Sequence, residues 1–160
     1  MTYFYIDTCS LKWRYLTGSR TTDVSNLVES NGNNVFTSEL TILEWSSAMA
    51  DAVRISGAID SSAFKTNEFA LFTDISKGNL KIFKISRLIE RARYWIEFVA
   101  VLNKRALRTN DSIHLTAALD LSSRVKQTVE FVTSDRALAK IISDFDIFKP
   151  YLNSQYYDPA

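Results

Sequence analysis

Residues 3–11, which read YFYIDTCSL, decide the fold of this 160-residue chain. The apolar run YFYI has the length and composition of a short buried strand, and it ends at the acid Asp7. Leu11 and Tyr15 follow four residues apart, which predicts a helix over residues 8–16. A strand that turns directly into a helix is typical of a crossover in a parallel sheet.

The same alternation continues to the end of the chain. Ser38 is predicted to cap a helix that ends near Gly57, Asp60 to open another helix, and Ser86 to cap a third. Asp111 and Ser134 or Asp135 open two more helices, and Gly32 lies in a predicted turn. Further strands are predicted over residues 35–37, 80–85, 129–133 and 147–148. Because the strands are separated by helices, we predict a three-layer α/β/α fold with a central, mostly parallel five-stranded sheet. Residues 1–150 form the predicted domain and residues 151–160 a C-terminal tail.

Composition narrows the class of protein. The hydrophobic fraction is 46%, the charged fraction is 23% and the formal net charge is +1, as in ordinary globular domains. A single cysteine excludes an intrachain disulfide framework and favours a reducing compartment. No apolar run has the length of a membrane span, and the N-terminus lacks the features of a signal peptide. We therefore expect a cytoplasmic protein that does not enter a membrane.

The charges are unevenly distributed. Residues 77–108 contain nine lysines and arginines but only two acids. Such a segment is either a surface for phosphate groups or simply a pair of solvated helix faces.

Four acids carry the functional hypothesis. Asp7, Asp111 and Asp135 lie at predicted strand ends or helix starts, and Glu44 lies within a predicted helix that has no cation three or four residues away. Each aspartate alone could be a helix cap. Together the four carboxylates could converge at one edge of a parallel sheet and bind Mg²⁺ or Mn²⁺. Zn²⁺ is less favoured, since the soft ligand candidates are His114 and Cys9.

Other polar residues surround these acids in the sequence. Thr8, Thr133 and His114 are predicted to orient a water molecule or support the acids, although capping and core packing are the simpler alternatives. Lys12 and Arg14 are predicted to bind the phosphates of a nucleic-acid substrate, which is RNA if the resemblance described next holds.

The segments YIDTCSLKWRYL, TSELTILEWSSAM, LRTNDSIHLTAALDL and VEFVTSDRALAKI together resemble PIN-domain proteins, most closely the VapC-type toxins of toxin–antitoxin pairs. The resemblance implies a PIN-like nuclease domain with endoribonuclease activity, with Asp7, Glu44, Asp111 and Asp135 as its catalytic and metal-binding residues. It also implies a homodimer and inhibition by a cognate antitoxin. Cys9 and the long, Phe-rich segment 57–85 depart from the usual pattern of the family.

Two other functions remain open at this stage. The chain could be a non-catalytic PIN-like binding module whose acidic pocket captures basic residues of a partner protein. It could also be a nuclease of the same fold that acts on DNA.

Overall fold

The computed structural model describes residues 1–16, 21–31, 34–86 and 88–157. The predicted turn at Gly32, the cation Arg87 and the last three residues of the predicted tail lie outside these ranges. The strands and helices follow in alternation: β1 (Tyr3–Ile6), α1 (Thr8–Leu11), a 3-10 turn (Lys12–Arg14), α2 (Thr21–Ser30), β2 (Val35–Ser38), α3 (Glu39–Arg54), α4 (Ser61–Ser76), β3 (Lys81–Phe83), α5 (Ile89–Ile96), a π-helical turn (Glu97–Leu102), α6 (Thr109–Val125), β4 (Val129–Thr133), α7 (Arg136–Asp144) and β5 (Leu152–Tyr156).

The five strands form one sheet in the order β3-β2-β1-β4-β5, and every neighbouring pair is parallel. The predicted fold class is therefore confirmed. In this order β1 lies at the centre, between β2 and β4. The carboxyl ends of these three strands consequently lie at one edge of the sheet, which is where ligand sites form in open α/β folds.

Side chains of the central strands alternate between two cores, one on each face of the sheet. Tyr5 and Phe131 pack with apolar residues of α6 and α7, whereas Phe4, Ile6 and Val132 pack with those of α1–α4. This alternation is the period-2 geometry of a strand that is buried on both faces. The helices thus cover the sheet from two sides and leave its edge accessible.

Several predicted boundaries need correction. The helix predicted over residues 8–16 ends at Leu11 and continues as a 3-10 turn. The helix predicted to start at Ser86 begins at Ile89. The predicted strand at residues 147–148 is wrong: the last strand is Leu152–Tyr156, within the segment predicted as a tail. Phe148 is instead fully buried in the core, so its apolar character reflects packing rather than sheet pairing.

Candidate active site

One pocket brings together all four predicted acids. It has a volume of about 240 Å³ and lies at the carboxyl edge of the sheet. Asp7 follows β1, Glu44 lies in α3, Asp111 lies in the first turn of α6 and Asp135 precedes α7. The remaining lining residues are Thr8, Cys9, Lys12, Ala48, Arg108 and His114. Residues that are distant in sequence meet here because parallel strands end at the same edge.

Asp7 is buried and held by three donors. One carboxylate oxygen accepts a hydrogen bond from the Ser10 backbone N–H at 3.0 Å, so Asp7 is indeed the N-cap of α1. The other oxygen accepts from Thr133 Oγ1 at 2.5 Å and from Cys9 Sγ at 2.9 Å. Burial raises the pKa of Asp7, and the charge of His114 together with these donors opposes that shift only in part. Asp7 is therefore both a helix cap and a buried carboxylate that a cation would stabilise.

Glu44 is compensated by polar neighbours rather than by a cation on its own helix. It accepts hydrogen bonds from His114 Nε2 at 2.8 Å, from Asn110 Nδ2 at 2.6 Å and from the Thr8 hydroxyl. Partial burial acts to raise the pKa of Glu44, but the bonds from His114 and Thr8 outweigh burial and lower it. Glu44 is thus an ionised carboxylate fixed in position by residues of two other helices, α1 and α6.

His114 links Glu44 to the protein core through hydrogen bonds on both sides of its ring. Its Nδ1 lies 2.8 Å from the hydroxyl of the fully buried Tyr5. An ionised carboxylate only accepts hydrogen bonds, so we assign the Nε2 proton to the bond with Glu44. The Tyr5 hydroxyl forms the hydrogen bond on the Nδ1 side of the ring. His114 was predicted as a supporting residue near the acids, and this is where the structure places it.

Asp111 and Asp135 form the more accessible side of the pocket. Asp135 caps α7 through bonds from the N–H groups of Ala137 and Leu138 at 2.8 and 3.1 Å. In the described part of the chain, no hydrogen bond or ion pair holds the carboxylate of Asp111. Burial raises the pKa of Asp111, the charge of Asp135 raises it further, and the charge of Arg108 opposes both. These two acids repel each other, and a divalent cation between them would relieve the repulsion.

Thr133 joins the two sides of the pocket. Its hydroxyl donates to Asp7 and accepts from the backbone N–H of Asp135 at 2.9 Å. Because Ile6 pairs with Val132, the ends of β1 and β4 lie side by side and bring this hydroxyl to Asp7. The Thr133 hydroxyl is therefore engaged by the protein.

The donor set suits a hard divalent ion by its chemistry, since all four acids offer oxygen ligands. In the side-chain positions of the described residues, however, no three His, Cys, Asp or Glu side chains form a group ready to hold a metal ion. Hydrogen bonds fix Asp7 and Glu44, so an ion held here would require movement mainly of the Asp111 carboxylate, which makes no hydrogen bond to the described residues.

The two predicted RNA-binding cations have different environments. Lys12 lines the pocket. Arg14 does not: its guanidinium is bound to Asp74 at 2.6 and 3.0 Å and to Glu29 at 3.2 Å. With its side chain only 11% exposed, Arg14 joins the 3-10 turn to α4 and is not free to bind phosphate.

Sequence reasoning missed three residues of this site. Asn110 and Tyr5 reach Glu44 and His114 through tertiary contacts that no local pattern indicates. Arg108 was noted only as part of a basic segment, yet it lines the pocket. Its position directly before α6, close to Asp111, is the sequence signal that could have revealed it.

The chain is similar in fold to known protein structures, but not in sequence to a known family. No family model matches the chain, and no curated protein matches it. Two similar solved structures are FitAcB from Neisseria gonorrhoeae and VapBC2 from Rickettsia felis bound to a DNA fragment from their promoter. The first has 12% identity and a TM-score of 0.62, and the match covers 94% of this chain and 96% of the other. The second has 15% identity and a TM-score of 0.61, and the match covers 99% and 100% of the two chains.

These findings correct the identification of the chain as a VapC-type toxin of the PIN-domain family. No family model supports that membership, and identities of 12% and 15% show a shared fold alone. Both similar structures are also named as complexes, so likeness to them does not assign this chain to the toxin component. The described residues contain no helix long and apolar enough to cross a membrane. What the comparisons show for this chain is its α/β fold, a fold shared with components of such complexes.

Proposed function

We propose that this chain is a divalent-metal-dependent endoribonuclease that hydrolyses RNA at the pocket lined by Asp7, Glu44, Asp111 and Asp135. One observation carries the proposal: four carboxylates from four separate elements line one pocket, where the Asp111 and Asp135 charges oppose each other. Such crowding is costly unless a cation is present. Phosphodiester hydrolysis is a reaction for which proteins use metal ions held by carboxylates.

The four acids would hold Mg²⁺ or Mn²⁺. A bound ion of this kind supplies charge stabilisation at the scissile phosphate and lowers the pKa of water. The chain's own residues have defined tasks. His114 and Asn110 fix Glu44, and Lys12 and Arg108 at the pocket offset the charge of the phosphates.

A protein partner is part of the proposal. Both similar structures are named as complexes, which supports a role in a toxin–antitoxin pair in which a cognate antitoxin blocks the pocket. A basic side chain inserted among the four acids would neutralise them as a metal ion does. The homodimer and the cytoplasmic location remain predictions.

The decisive test is cleavage of a mixed set of single-stranded and structured RNAs, with DNA of the same sequences alongside, in Mn²⁺ and in EDTA. Asp7→Asn removes one charge while the amide oxygen can still cap α1, so this variant should fold and not cut. Asp51→Asn, which changes an exposed acid on α3 away from the pocket, should cut like the wild type. Cutting by Asp7→Asn would overturn the proposal, and cutting of DNA alone would replace RNA with DNA as the substrate.

A second candidate function has its own support. Glu44 already accepts hydrogen bonds from three donors, and no group of three ligands is preformed in the described residues. Both facts favour a non-catalytic module whose acidic pocket binds basic side chains of a partner. This module would not gain stability from Mn²⁺, whereas the nuclease would.

A further inference from the structure

A second concavity, of about 680 Å³, lies between β3, α5 and α6. Among the residues that the structure describes, its charged lining consists of three cations, Lys84, Arg91 and Arg124, and one acid, Asp120. The cations come from three different elements or their ends, so tertiary folding rather than a charge run in the sequence brings them together. Arg124 lies outside the basic segment 77–108 altogether.

Asp120 orients both arginines. Its side chain is only 16% exposed, and it binds Arg91 Nη1 at 2.9 Å through one oxygen and Arg124 Nε at 2.8 Å through the other. Within the described ranges, the Nη2 of Arg91 and both terminal nitrogens of Arg124 have no hydrogen-bond partner. The two guanidinium groups therefore keep donors available while the shared carboxylate limits their movement.

Phe83, in addition to Asp120, restrains the Arg124 side chain. The guanidinium carbon lies 5.0 Å from the centre of the Phe83 ring, a cation–π distance. A side chain held from two sides loses less conformational freedom when it binds a ligand. Guanidinium groups with fixed orientation match the geometry of phosphate oxygens, which they bind in bidentate fashion.

Contacts between buried residues link the concavity to the carboxylate pocket. Phe83 pairs with Ser38 at the end of β2, and Ser38 Oγ lies 3.5 Å from His114 Nδ1 in the carboxylate pocket. Asp111 lies in the first turn of α6 and Arg124 in its last, so the rise of 1.5 Å per residue places the two residues about 20 Å apart along the helix. A single strand of nucleic acid can span that distance while it occupies both places.

The negative charge of the carboxylate pocket means that a nucleic-acid substrate needs a binding site outside this pocket. Of the described lining residues there, four are acids and two, Lys12 and Arg108, are cations, so the net charge of this lining repels a polyanion. Affinity for a nucleic-acid backbone must come mainly from cations elsewhere, because phosphate contacts dominate that affinity.

We propose that Lys84, Arg91 and Arg124 form a phosphate subsite that binds the backbone of single-stranded RNA outside the cleavage pocket. This inference rests on the proposed nuclease function and adds to it how the substrate is held. The subsite contributes to the affinity for RNA, and the four acids contribute to the cleavage step.

The test is equilibrium binding of a fluorescently labelled single-stranded RNA in EDTA, over a series of salt concentrations. The double variant Arg91→Ala/Arg124→Ala should bind about tenfold more weakly at moderate salt. The slope of log affinity against log salt should become less steep by about 1.4, which corresponds to two lost contacts on a single strand. Both side chains are more than half exposed, so the variant should fold, which its thermal unfolding checks.

A matched control removes the same charge elsewhere. Arg54→Ala/Lys149→Ala also deletes two exposed cations that each have an acidic partner. This control should keep the wild-type affinity and salt slope. Equal loss in both double variants, or no loss in Arg91→Ala/Arg124→Ala, would overturn the subsite, as would a preference of the same concavity for an acidic peptide over RNA.

The binding test does not depend on cutting. If the wild type binds RNA through this subsite but no RNA is cleaved in Mn²⁺, the subsite stands and the proposed catalysis fails. If RNA is cleaved but the double variant binds normally, the catalysis stands and the subsite fails.

Discussion

His114 Nε2 and Glu44 Oε2 lie 2.8 Å apart, although 70 positions separate the two residues in the sequence. The bond joins α6 to α3 across the pocket, and the buried Tyr5 hydroxyl supports it from the other side of the ring. Glu44 therefore keeps its place through the core of the protein rather than through its own helix.

Removal of His114 should cost both stability and activity. His114→Ala leaves the buried Tyr5 hydroxyl without its 2.8 Å partner and weakens the hold on Glu44, so the free energy of unfolding should fall by about 2 kcal/mol. Urea denaturation measures this loss. Asn110→Ala removes another donor to Glu44 at an exposed position and should cost less than about 1 kcal/mol. Equal stability of His114→Ala and the wild type would show that the bond to Glu44 contributes nothing.

Thr133→Val tests the link between Asp7 and Asp135. Valine keeps the shape of threonine but loses the bonds to the Asp7 carboxylate and the Asp135 backbone, which should cost about 1–3 kcal/mol and lower the cleavage rate. Thr116→Val is the matched control, since it removes an equally buried hydroxyl that bonds only within α6. The control should lose stability without loss of cleavage per folded molecule. A Thr133→Val protein that cuts at the wild-type rate would contradict a role for this hydroxyl in positioning the acids.

Substitution of Arg14 should lower the stability of the protein, whereas substitution of Lys12 should lower its affinity for RNA. Arg14→Ala leaves the buried Asp74 with its hydrogen bonds from Tyr15 and Asn79 but without the cation that pairs with it, and should lower the free energy of unfolding by about 3 kcal/mol. Lys12→Ala should leave stability nearly unchanged and weaken RNA binding. Calorimetry and RNA titration of both variants give the comparison. Weaker RNA binding by folded Arg14→Ala, at unchanged stability, would restore Arg14 as a phosphate ligand.

Metal binding should stabilise the folded protein. At Mn²⁺ concentrations about 100 times the dissociation constant, binding to the folded state alone adds about 2.7 kcal/mol, or roughly 5–10 °C in melting temperature for a chain of this size. Asp111→Asn should lose most of this shift, while Asp51→Asn should keep it. A wild-type melting temperature that is insensitive to both Mn²⁺ and Mg²⁺ would favour the non-catalytic module.

The pH dependence of stability follows from the raised pKa values of Asp7 and Asp111. A carboxyl whose pKa is higher in the folded than in the unfolded state binds its proton more tightly when folded. Without metal, these two groups should therefore lower the free energy of unfolding as pH rises through and above their ordinary pKa of 3.8. The lowered pKa of Glu44 has the opposite effect: below its ordinary pKa of 4.5, this group should raise the free energy of unfolding as pH rises.

Asp7→Asn should remove the Asp7 part of this dependence. Its unfolding free energy, measured in EDTA between pH 4 and 7, should fall less with pH than that of the wild type. An identical pH profile for the two proteins would contradict the buried, proton-binding state assigned to Asp7.

The sequence predicted the fold because the fold depends on local patterns. The runs YFYI and VEFVT are buried on both faces of the sheet, and apolar alternation with helices is enough to indicate a parallel arrangement. The last strand could not be predicted in this way. LNSQY at the sheet edge has only one fully buried residue, so no apolar run marks it, whereas the buried Phe148 nearby imitates such a run.

For the candidate site, the sequence by itself determined which residues could do chemistry: three aspartates at element ends, which meet at one edge because parallel strands share their direction, and Glu44 within a helix. Only the tertiary structure decided what each group contacts. It placed His114 and Asn110 on Glu44, bound Arg14 to Asp74, and gathered Lys84, Arg91 and Arg124 beside Asp120. Strand and helix periodicity is encoded within a few residues, but hydrogen bonds and ion pairs between distant segments depend on crossovers and side-chain packing that no local pattern specifies.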